Sequence, residues 1–180
     1  MRLCMFSPME HELARGWPGR IDEDRVVQLA AQTLQSYFSG GGSAREHAWY
    51  PLDQVVFRAP VLHPPSVRLF DGNGDFAFAN PAAIIAAHDV VPRPAGVDEI
   101  VPVNRVAAIV DADGAFGGFT PMIEWVAPEL TGAKSRDFAL SLGPIVTTPD
   151  EETPPGVDWE RLLAHAAANT RLYPGDILAV

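Results

Sequence analysis

Cysteine, lysine and long apolar runs are all scarce in this chain. The single cysteine, Cys4, excludes an internal disulfide. No apolar run approaches the roughly 18 residues a membrane-spanning helix needs, so none is expected. The stretch from Met1 to Leu13 lacks the apolar core and small-residue cleavage site of a signal peptide, and a cytoplasmic protein is expected. Basic residues number 13 against 23 acidic, giving a net charge of −10. That balance repels phosphate backbones and anionic lipid, which excludes nucleic acid and membrane surfaces as partners. The five histidines, His11, His47, His63, His88 and His165, stand singly without metal-ligand spacing. Ser66 and Ser141 have no nucleophile-elbow motif around them, which excludes a serine hydrolase of that type.

What is present is punctuation. The 180 residues, 47% apolar, fit one domain or a domain with a small appendage, and 15 Gly with 17 Pro favour short strands over long helices. A strand is expected over Met1 to Phe6, then a polar loop. Helical spacing of Val26, Val27, Leu29, Ala30, Leu34 and Phe38 after acidic Asp22 to Asp24 predicts a helix ended by Gly40-Gly41-Gly42. A glycine-led linker at 41–48 then predicts a small N-terminal lobe (1–48) and a β-rich body (49–180). Strands are expected over Gln54–Ala59, Ala77–Ile85, Val101–Val110, Gly117–Met122 and Ser141–Thr147, with a tight turn at Asp113-Gly114. Asp158 to Asn169 reads as a second helix with Trp159, Leu162, Leu163 and Ala166 on one face, and Ile177 to Val180 as a last strand.

Several stretches, in one order, resemble the fumarylacetoacetate hydrolase superfamily: Ala59-Pro60-Val61, Pro64-Pro65-Ser66-Val67-Arg68, Phe76 to Ile84, Val91-Pro92-Arg93-Pro94-Ala95-Gly96, Val106 to Val110, Gly118-Phe119-Thr120, Asp137 to Pro144 and Thr170 to Asp176. The resemblance spans roughly residues 55 to 178 and implies an α+β, mostly β fold. That fold is a mixed β-roll with few helices that forms a homodimer, here preceded by the small N-terminal lobe. Fold is inherited more readily than chemistry. In the family a divalent metal held by four carboxylates polarises a β-dicarbonyl substrate while a lid histidine activates water. Here the ligand positions fall on Leu69, Val103, Arg105 and Glu124, so one acid of four remains. A hard cation needs several oxygen ligands, and no metal or other cofactor is expected. Between Phe70 and Phe76 only Asp71-Gly72-Asn73-Gly74-Asp75 stands where the family carries its lid. These five residues imitate the start of a calcium loop, but its twelfth position is Ala82 instead of Glu.

Arg105 in the old ligand strand is the most informative change, with Glu124 its expected partner on the adjacent strand. Facing each other, the two satisfy one another's charge, whereas either alone in an apolar pocket is costly. Two readings follow. In one the pair is a structural plug in a non-catalytic relative that binds a small molecule or a partner subunit. In the other, Arg105 and Arg136 hold the oxyanion of an enolisable carbonyl or carboxylate compound and Glu124 moves a proton, for tautomerisation, decarboxylation, elimination or cyclisation. Metal-dependent C–C bond hydrolysis ranks below both. Arg136 takes the place of a family lysine. Lys134, two residues earlier, shares its face if the segment is a strand, and is a solvent-facing charge if it is a turn. Arg68, Phe70, Trp125 and Lys134 are the candidate substrate-binding residues around the same cavity, with Phe70, Phe76 and Trp125 able to seal it instead.

Overall fold

Leu3 to Phe6 are all buried, as befits a strand covered on both faces. In the computed structural model, which describes residues 1–180, this run lies in β1 (Arg2–Pro8), followed by β2 (Trp17–Asp22) and β3 (Arg25–Leu29). The polar loop expected after β1 is therefore shorter, since Trp17–Asp22 pairs with β1. The expected long helix also gives way: only α1 (Leu34–Ser39) is helical. β-branched Val26 and Val27 join a ladder with β2 on one side and β4 (Glu46–Pro51) on the other. A bulge between Val27 and Leu29 breaks strict alternation, so the apolar positions fall at intervals that imitate a helix. Thr33 caps α1 reciprocally with Ser36.

The chain continues through β5 (Val55–Arg58), β6 (Val67–Phe70), β7 (Phe76–Ala79) and β8 (Ile84–Ala86). The stretch expected as one strand over Ala77–Ile85 breaks at Asn80, whose side chain accepts from the Ala82 N–H and starts a 3-10 turn. β9 (Val101–Val110) and β10 (Phe116–Val126) form the long central hairpin. Its turn is held by Asp111, whose carboxylate accepts from the N–H groups of Asp113 and Ala115. The run expected over Ser141–Thr147 divides into β11 (Leu140–Leu142) and β12 (Ile145–Thr147), because Gly143 turns to donate its N–H to the Pro121 carbonyl. α2 (Trp159–Ala167) buries Trp159, Leu162 and Ala166, and β13 (Ile177–Ala179) closes the chain.

All thirteen strands join one mixed sheet, ordered β4-β3-β2-β1-β12-β10-β9-β13-β6-β7, with β5 on β1 and β8 reached through β11. β1 thus ties the N-terminal strands to β12, and position 48/49 falls within β4. The main core lies on one face of β6, β9, β10, β11 and β13. A second core packs their other face against α2, where Trp159 meets Phe119 at 4.9 Å between ring centres. No helix is long and apolar enough to cross a membrane.

Candidate functional site

Residues opposite one another in a sheet, and residues two apart on a strand, share a face. Leu69 stands beside Ala179, Ala179 beside Ala107, Arg105 beside Met122, and Val103 beside Glu124, which in turn stands beside Leu140. Leu69, Val103, Arg105 and Glu124 therefore point to one face, the face of the main core. Strand geometry alone sets the four positions singled out in the sequence on one face.

Glu124 is 1% exposed and Arg105 15%. The Arg105 Nε donates to Glu124 Oε2 at 2.7 Å, and its Nη1 donates to the Phe70 carbonyl at 3.1 Å. Arg105 thus ties the hairpin to the last residue of β6. Arg136, half exposed, brings its Nη1 to 3.0 Å from Glu124 Oε1. That contact lacks hydrogen-bond alignment, and Oε1 has no hydrogen-bond donor. The cluster is two guanidinium groups around one buried carboxylate, with a net charge of +1. None of the five principal cavities is lined by any of its three members.

The remaining candidates lie apart. Lys134 belongs to a 3-10 turn, Gly132–Ser135, not a strand, and its exposed ammonium pairs with Asp137 at 2.7 Å. It does not share a face with Arg136. Arg68 precedes Leu69 and so points to the opposite face, where it is buried beside Ser66 and 3.9 Å from Asp176. Its guanidinium lies over the rings of Phe76 and Phe78. The Phe70 ring packs with Phe76 and His165 in the second core, so only its carbonyl reaches the cluster. Trp125 likewise faces away from Glu124 and donates its indole N–H to Ser141 at 2.9 Å. The contact missed at the level of sequence is the Phe70 carbonyl, because no side-chain pattern signals a main-chain acceptor.

The fold is of the fumarylacetoacetate hydrolase type, as the sequence resemblance implies, and solved structures share it. Maleylpyruvate hydrolase from Sphingobium sp. SYK-6 superposes with a TM-score of 0.76 at 21% identity, over 99% of this chain and 87% of that one. 5-Carboxymethyl-2-hydroxymuconate delta-isomerase from Mycobacterium smegmatis gives 0.78 at 16% identity, again over 99% and 87%. 2-Keto-3-deoxy-D-arabinonate dehydratase gives 0.75 at 14% identity, over 99% and 86%. No protein-family model matches the sequence, and no curated protein matches it.

The hydrolase has been seen with manganese and pyruvate, and the dehydratase with magnesium and 2,5-dioxopentanoate. The residues of this chain do not fit such an ion. Of the four positions, Leu69 and Val103 have no donor atom and Arg105 brings a fixed positive charge. Glu124 already spends one oxygen on that charge. A cation at this point would meet one carboxylate and an adjacent guanidinium, where a hard divalent ion requires several oxygens.

Proposed function

We propose that this chain is a non-catalytic, metal-independent small-molecule-binding protein on the fumarylacetoacetate hydrolase fold, in which the Arg105–Glu124 pair plugs the place of the metal centre. One observation carries this reading: Glu124 is buried against Arg105 at 2.7 Å on the face where the carboxylates of a metal site would converge. A group that transfers protons must meet its substrate, and none of the five principal cavities opens on this carboxylate. Removing one partner of a buried pair leaves an uncompensated charge, whereas replacing both with apolar groups is often neutral. Arg105→Met leaves Glu124 only the half-exposed Arg136 and is expected to lower unfolding stability by about 3 kcal/mol, the low end of the cost of breaking a buried pair. The double variant Arg105→Met/Glu124→Leu is expected to return to within about 1 kcal/mol of the parent. Urea unfolding measures both, and a neutral Arg105→Met removes the plug.

The donor-free Glu124 Oε1 beside half-exposed Arg136 favours a second reading, an enzyme on enolisable carbonyl compounds. Exchange of the pyruvate methyl protons in deuterated water, followed by NMR, separates the two. Exchange above buffer that is lost in Arg136→Gln supports the enzyme; exchange at the buffer rate supports the binding protein.

A further inference from the structure

The chain carries 23 acidic residues against 13 basic ones, and three of its five principal cavities are lined by carboxylates. Two are not, and both are lined by Arg15. The first, about 350 Å³, has Met5, Ala59, Pro60 and Leu62 as apolar walls and His63 at its rim. The second, about 460 Å³ and more open, is walled by Trp17 and Leu29 with His47 beside them. Arg15 has no hydrogen-bond or carboxylate partner, whereas the neighbouring Arg58 is paired with Glu12 at 2.6 Å.

The backbone is constrained at both residues. Gly16 follows Arg15 with φ +76°, and a Cβ there would fall 2.5 Å from the Phe6 carbonyl oxygen. Only glycine lets the chain press onto β1 at that point. His63 has φ +55° directly before Pro64, a left-handed conformation that is unfavourable for a residue preceding proline. Strain of this kind concentrates at ligand clamps.

From this juxtaposition we infer that Arg15 and His63 form the polar end of a binding site for an aromatic carboxylate. The ring lies against Met5 and Leu62, and the carboxylate on the Arg15 guanidinium, which matches it in fork geometry. An apolar enclosure with few placed polar groups is the ordinary form of a small-molecule site. The inference rests on the binding-protein reading above and supplies its ligand class. It shares no residue with the Arg105–Glu124 cluster, so the two fail separately.

The test is a titration of the whole protein with 2-naphthoate, followed by amide NMR, with the neutral 2-naphthylmethanol as comparison. Saturable shifts are expected at Leu62 and His63, with binding weakened about tenfold in Arg15→Gln and for the alcohol, the loss of one charge-assisted contact. The amide spectrum of the variant verifies its fold. Leu62→Glu, which sets a like charge against the ligand, is expected to abolish the shifts as well. Absence of binding at millimolar naphthoate overturns the site. So do equal affinities for acid and alcohol, an unaffected Arg15→Gln, or shifts centred elsewhere.

Discussion

Cys4 lies in the middle of β1, fully buried with Phe6, Val26 and Val55. Burial pushes its thiol up to about 12, with the charge of Arg2 opposing weakly. The thiolate is the reactive form, so the folded protein is expected to resist iodoacetamide at pH 8.5, with labelling that tracks unfolding in urea. Rapid labelling without denaturant would contradict the burial. The sign of the linkage follows from the same shift. The folded state favours the neutral thiol, so its contribution to stability is complete below the unfolded pKa of about 8.5. It is lost as pH rises towards the folded value of about 12. At the same scale, Arg105 and Glu124 were legible in the sequence because a family pattern marked their positions. Arg15 was not, since a lone arginine in a loop has no motif and acquires meaning only from the cavities around it.

Among elements, β9 and the turn after it were plain in sequence because alternation, chain length and the Asp113-Gly114 signal agree. α2 was equally plain, with Trp159, Leu162 and Ala166 on one buried face and Asp158 capping the start. β3 was misread because its bulge reproduces helical spacing, and only the ladders to β2 and β4 decide the matter. The division of β11 from β12 was hidden because Gly143 turns in response to Pro121, a residue of another strand. Glycine packing gives the test at this scale. A Cβ on Gly118 would meet Val146 Cγ1 at 2.5 Å and the Thr147 carbonyl oxygen at 2.8 Å, where β10 crosses β12. Gly118→Ala is expected to cost about 1–3 kcal/mol, the range of overpacking. Gly72→Ala, with open space around it, is expected to stay within about 0.5 kcal/mol of the parent. Urea midpoints compare the two, and equal values would contradict the packing described.

At the scale of the molecule, the fold sets on one face four positions whose side chains do not fit a divalent ion. Leu69, Val103, Arg105 and Glu124 come from three strands, β6, β9 and β10, and point to one face. Of the four, only Arg105 and Glu124 are paired, at 2.7 Å, while Val103 is 37% exposed. Asp71 accepts from the N–H groups of Asn73 and Asp75 and closes a tight β6–β7 connection. The scaffold is expected to be convertible, because the misfit to a cation lies in side chains and not in backbone. Manganese titration followed by electron paramagnetic resonance tests it most directly, on the parent and on the Leu69→Asp/Val103→Glu/Arg105→Glu variant that rebuilds four carboxylates. The expected result is no stoichiometric binding by the parent at millimolar manganese and one bound ion in the variant. One ion bound by the parent, and lost on Glu124→Gln, would contradict the account.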